Sequence, residues 1–161
     1  MLATQDVYDI EVPDEVLWTR AERLIEMGRG ITLMQMMFAK EAAEFATTKE
    51  YEEWGATTPI DWIRIHCHLT GPQAANYVAA GEHFDALPNT VVAMAEGKVG
   101  FGHMVVMART SNALAASPTA RVFDENKLLA KAVDNSVGKF HHNLPPPPSR
   151  RRPQRLYGDR G

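Results

Sequence analysis

The stretch from Thr57 to Ala86, TTPIDWIRIHCHLTGPQAANYVAAGEHFDA, constrains the fold more than any other. Thr58 is placed to cap a helix with Pro59 in its first turn and Asp61 at its third position, a Thr-x-x-Asp variant of the reciprocal capping box. The pattern returns at Thr70, which precedes Gly71, Pro72 and Gln73, so a second helix starts almost where the first stops. Two capped helices joined by about three residues cannot run end to end; they turn sharply and share a core. This is the local grammar of a helix-turn-helix, which makes nucleic acid the first partner to consider and a plain helical corner the alternative.

Upstream, the spacing predicts one long helix starting at Asp14. Its apolar positions run Leu17, Ala21, Leu24, Gly28, Ile31, Gln35, Phe38, Ala42 and Phe45, alternating steps of four and three, so they form one stripe. Gly28 and Gly30 are candidate points for a break into two helices, since each costs about 1 kcal/mol relative to alanine. A stripe of this length wants either a bundle partner or a second copy of itself. Acidic side chains dominate the outer face, with 12 acidic and 5 basic residues between positions 1 and 53. The segment Thr47 to Gly55 is expected to fray into the loop before the central corner.

In the corner, Trp62, Ile65 and Leu69 form the buried stripe expected of the first helix, and Ala74, Val78 and Gly81 that of the second, with Tyr77 and Phe84 beside it. The small residues of the second helix should let the two helix backbones approach. Leu87-Pro88 stops it, Asn89 to Ala95 reads as a short helix ended by Gly97, and Gly100 and Gly102 flank Phe101 before the helical run HMVVMARTSNALAA. Methionines at the spacing of Met104 and Met107 read as irregular core filling rather than as a peptide groove. Asp124 caps a final helix holding Leu128, Leu129, Ala132 and Val133.

With 161 residues and 45% hydrophobic content, the chain has the length of one domain with its own core. The single cysteine, Cys67, allows no internal disulfide and fits a reduced, cytoplasmic setting. The acidic first residues lack the order of a secretory signal, and no run of about eighteen apolar residues predicts a membrane span. The net charge of -3 hides a division: from Lys139 onward 6 basic residues face 1 acidic, a net of +5, while the rest carries 11 basic and 19 acidic, a net of -8. An acidic body repels a phosphate backbone at long range, so DNA binding needs a local basic face, a cation, the tail or a partner. The organisation expected is an arm over residues 1–13, a helical domain over 14–140 and a disordered Pro/Arg-rich tail over 141–161. That tail, HHNLPPPPSRRRPQRLYGDRG, suits a basic arm, a proline-rich ligand, or a solvated end with no selected role.

The segment DWIRIHCHLTGPQAANYVAAGEHFDALPNTVVAMAEGKVGFGHMVVMARTSNAL closely resembles an actinobacterial repeat-associated family of unknown function that commonly precedes an HNH endonuclease domain. The resemblance rests on Asp61-Trp62, the His68-Leu69-Thr70-Gly71 turn, Ala74, Leu87-Pro88, Ala95-Glu96-Gly97 and Gly102-His103, with FDENKLLAKAVDNSVGKFHH continuing it. It covers roughly Asp14 to His142 and implies a helical domain that accompanies a nuclease. The nuclease module of such relatives lies beyond the point where this chain stops, and His141-His142-Asn143 has the right residues in the wrong order. The family helix corresponding to Pro72 to Phe84 carries arginines, where this chain has Ala75, Asn76 and His83.

Read directly, the chemistry is sparse. His66 and His68, two apart in a predicted helix, point in different directions and do not match the spacing of a helical metal site, and His83 and His103 stand far off in sequence. Cys67 reads as a small core residue, and GKVGFGH lacks the ending of a phosphate loop. The expectation is an all-α, irregular multi-helix bundle with no cofactor and no metal; the resemblance, together with the Thr58 to Phe84 corner, implies a truncated or remnant noncatalytic DNA-associated accessory module. Gln73, Asn76 and His83 would face DNA from the second corner helix, Lys98 and Arg109 would meet its backbone, and Arg150, Arg151 and Arg152 would add nonspecific affinity. The alternative is a protein-interaction or self-assembly module using the Leu17 to Phe45 stripe.

Overall fold

The structure is a computed structural model in which residues 18–117 and 122–145 are described. Among them lie eight α-helices and no strand: α1 (Arg20–Thr48), α2 (Glu50–Glu53), α3 (Pro59–His66), α4 (Gly71–Glu82), α5 (Pro88–Ala95), α6 (Phe101–Ala115), α7 (Glu125–Val133) and α8 (Val137–His142). The all-helical bundle, the long N-terminal helix and the central corner are as expected from the sequence. The expectations for residues 1–13, for Leu17 and for the tail from 146 on, with Arg150, Arg151 and Arg152, lie outside the described residues. The first residues of the expected disordered tail are ordered instead: His141 and His142 belong to α8, and Leu144 packs against the core.

The long helix starts at Arg20, not at Asp14. Thr19 stops it from extending further back: its hydroxyl accepts from the Glu22 N–H at 3.2 Å, and the Glu22 carboxylate accepts from the Thr19 N–H at 2.7 Å. This complete capping box satisfies two donors that would otherwise be left free at a helix start. At the other end Lys49, with φ +59°, breaks the helix, and α2 follows where a frayed loop was expected.

At the corner the two N-caps differ. Thr70 and Gln73 form the full box, with bonds of 3.2 and 2.9 Å. Thr58 accepts from the Asp61 N–H at 3.1 Å, but the Asp61 carboxylate turns to Arg64 at 3.5 Å. Between them α3 ends in a Schellman-type turn: His68 takes the left-handed conformation (φ +54°), and the Leu69 N–H reaches back to the Arg64 carbonyl at 3.1 Å. This turn also corrects the expected stripe of α3. Ile65 is 54% exposed and Ile63, at 2%, is the buried residue. The helix stops at His66, so Leu69 reaches the core through the turn rather than in helical phase with Trp62 and Ile65.

Helix α4 lies against α1, α3 and α6 and is the centre of the assembly. Its buried side holds Ala74, Val78 and Ala80. At Gly81 the close backbone approach is between α4 and α1, not between the two corner helices as expected. A Cβ on Gly81 would run into the Ala39 carbonyl oxygen, and would lie 2.7 Å from the Ala39 carbonyl carbon and 2.8 Å from the Ala43 Cβ. Tyr77 joins the two core clusters: its ring stacks on Phe101 at 5.0 Å, meets Phe38 edge-on at 4.6 Å, and its hydroxyl accepts from Gln35 Nε2 at 3.4 Å.

The second cluster gathers α5 to α8. Met104 and Met107 are fully buried there, as the core-filling reading expected. Asp124 caps α7 through the Lys127 N–H at 3.1 Å. However, α7 is followed by α8, which Ser136 caps and the buried Phe140 anchors. The turn between them is pinned by His103. Its Nδ1 accepts from the Gly100 N–H at 3.0 Å, so Nε2 carries the proton and donates to the Asn135 carbonyl at 2.8 Å.

Candidate interaction surface

The residues expected to meet DNA are spread over several elements, and most are engaged within the fold. Gln73 spends its side-chain oxygen on the α4 capping box. Asn76 Oδ1 accepts a short bond from Arg109 Nη2, which brings these two together where α4 crosses α6. The half-buried His83 caps its own helix: a carbonyl only accepts, so Nδ1 carries the proton and donates to Ala79 at 2.7 Å. Lys98 lies in the turn after α5, paired with Glu96 at 2.6 Å. Of the residues of α4, only Pro72, Gln73 and Glu82 are exposed, because three helices pack around it. A helix that enters a DNA groove presents a whole face to the bases.

The histidines are likewise separate. His66 joins an aromatic group with Trp62 (4.6 Å) and Trp54 (5.6 Å), His68 is an exposed turn residue, His83 is a cap and His103 is a pin. His66 ends α3 and His68 lies in the turn after it, so the two do not share one helix as expected. Among the described residues no cluster of three or more His, Cys, Asp or Glu side chains could hold a metal ion. Cys67 is half-buried beside Leu69 and Trp62 in the core cluster under the corner. The Trp62 Nε1 is buried with no hydrogen-bond partner, a cost of about 1–3 kcal/mol.

The largest feature left open is on α1. From Gln35 to Ala46 the stripe is packed by α4 and its neighbours, with Ala39 and Ala42 buried. From Arg20 to Ile31 the same stripe continues in phase, and every residue is exposed. Leu24 is 65% and Ile31 60% exposed, and Ile25 lies beside them on the next heptad position. Completing the burial of side chains like these is worth roughly 1–2 kcal/mol each. Arg29 marks where the helix meets the body, since a Cβ on Gly97 would lie 2.8 Å from its Nε. Around the turn that follows, Leu33, Met34 and Met37 are also exposed, so the helix is apolar on nearly all sides between Ile31 and Phe38. A helix of that character is one that is buried from more than one direction.

Beside Met34 runs a shallow cleft of about 200 Å³ between α1 and the corner, lined by Met34, Gln35, Phe38, Cys67, Leu69 and Tyr77. It is large enough for one side chain and is apolar apart from Gln35, the Cys67 thiol and the Tyr77 hydroxyl. The sequence stripe already pointed to α1, but nothing local in it told which half would find its partner inside the chain. The exposed methionines on the other sides of the helix were missed altogether, because they fall outside the four-three spacing.

No protein-family model, no curated protein and no solved structure matches this chain. The resemblance to the HNH-accompanying family therefore stands on its quoted residues alone. Among the described residues no helix is long and apolar enough to cross a membrane.

Proposed function

We propose that this chain is a noncatalytic helical assembly module that takes another helix onto the first half of α1. The supporting observation is the stripe through Leu24 and Ile31, with Ile25 beside it, in register with the packed half of the same helix and left exposed. The packed half indicates the chemistry of the partner: an amphipathic helix with small residues on its contact face, as α4 has in Ala74, Ala80 and Gly81. A labelled peptide copying residues 69–84 is a suitable probe for the full chain. Fluorescence anisotropy should show saturable binding that is lost in a Leu24→Glu, Ile31→Glu double variant. No binding to the monomeric chain at any attainable peptide concentration rejects the reading.

A second reading, the DNA-associated accessory module, is favoured by the pairing of Arg109 with Asn76 at the α4–α6 crossing, where the guanidinium stays exposed. It predicts duplex DNA binding at low salt that weakens as salt rises and falls again in Arg109→Ala. Absence of affinity at low salt removes it. The described residues carry 11 basic and 14 acidic side chains, so a local contact of this kind works against the field of the body.

A further inference from the structure

We infer that the helix received by the free half of α1 is the α1 of a second copy of this chain, antiparallel about a two-fold axis at Glu26. The inference rests on the assembly reading above and names its partner. Three observations meet at that axis.

The first is length. The open step runs from Arg20, just after the N-cap Thr19, to Thr32, where half-burial begins, and its midpoint is Glu26. A second copy of the same step, reversed, fills it from end to end, and each helix start then abuts the body of the other copy.

The second is shape. Along the stripe the small residues are Ala21 and Gly28 and the large ones are Leu24 and Ile31. Reversal about Glu26 sets Ala21 opposite Ile31 and Leu24 opposite Gly28, in both directions, so every layer pairs a small residue with a large one. A Cβ on Gly28 would meet nothing within 4 Å inside the chain, so that space is open to the Leu24 side chain of the other copy. A parallel pair would instead set Gly28 against Gly28 and leave a void in one layer.

The third is charge. Glu26 and Arg23 lie on the side of the helix away from the stripe, and Glu26 is held by Arg29 at 3.4 Å. No carboxylate is buried by the pairing. The contact is about 20 Å long, which places it at the small end of specific interfaces, so association depends on concentration.

The experiment uses the full chain with Cys67→Ser. Sedimentation equilibrium over a concentration series should show a monomer–dimer equilibrium. L24E and I31E should each raise its dissociation constant at least about 100-fold, while E26R, on the far side, should change it by no more than about 3-fold. Geometry is tested by disulfide capture. The pair A21C plus I31C should link two copies on oxidation, whereas A21C alone should not, because two such residues stand about 15 Å apart in the antiparallel pair. Linking by A21C alone overturns the antiparallel arrangement, and a dimer indifferent to I31E overturns the surface. A monomer at every concentration overturns the inference, whether the step is empty or covered by residues of the same chain. If the 69–84 peptide still binds that monomer, the assembly reading survives; if it does not, both fall.

Discussion

Helix α1 has two halves with one pattern and two fates. Between Gln35 and Ala46 its stripe is packed against α4, close enough for the Gly81 backbone to touch that of Ala39. Between Arg20 and Ile31 the stripe carries Leu24 and Ile31, with Ile25 beside it, and buries none of them. The periodicity that defines a stripe thus says that a face is to be covered and nothing about what covers it. Within this chain the cover is set by small residues on the partner helix: Ala74, Val78, Ala80 and Gly81 let α4 come close, and α4 is only long enough to serve the second half.

The comparison is broken most directly at the close crossing. Gly81→Ala places a methyl group against the carbonyl of Ala39, and a backbone carbonyl has no rotamer by which to move aside. Overpacking of this kind costs about 1–3 kcal/mol, and the gain in helix propensity, about 1 kcal/mol, offsets part of it. A net loss of up to about 2 kcal/mol in urea unfolding is expected. A neutral result would mean that the packed half is held more loosely than its geometry indicates, and the contrast between the halves would lose its basis.

The two capping boxes provide the next test, about half as large. Thr70→Ala removes the cap of the helix on which both clusters depend, and should lower global stability by about 1 kcal/mol. Thr19→Ala removes the same chemistry from the free half. There the loss should appear as faster amide exchange over residues 20–32 with almost no change in the unfolding midpoint, because that segment opens without opening the core. Equal midpoint losses in the two variants would show the free half to be coupled to the body.

These same residues show how far the sequence could be read. The Thr70 box, the Asp124 cap, the core methionines and the fold class were legible because each depends on residues within one or two turns of one another. The start of α1 was legible too and was misplaced: Thr19-x-x-Glu22 is a complete box, but the apolar spacing continued back through Leu17 and drew the boundary to Asp14. Ile65 and Ile63 exchanged places because a left-handed His68, a conformation that favours glycine, ended α3 before the stripe did. The interaction surface was half legible. Its face was written in the heptad, but which half stayed open was settled by α4 and α6, whose placement is a long-range matter that no local pattern carries. The candidate DNA contacts on α4 follow from the same local grammar, which carries no sign that three helices close around that helix.

The smallest expected effect sharpens the comparison most. Gly28 and Gly30 both have open space where a Cβ would go, so either change is free of clashes within the chain. Gly30 lies off the stripe, so Gly30→Ala alters helix propensity and leaves the proposed pairing face untouched, whereas Gly28→Ala would alter both. Gly-to-Ala in a helix interior is worth up to about 1 kcal/mol, which is roughly a 5-fold gain in protection from amide exchange. In a segment held by its own propensity this gain should appear over residues 20–32 of dilute G30A protein, with the global midpoint moving by less than about 0.5 kcal/mol. If those amides are already protected as strongly as the core in dilute wild-type protein, the substitution will change nothing there, and something within the chain must be holding a half-helix that its described contacts leave free.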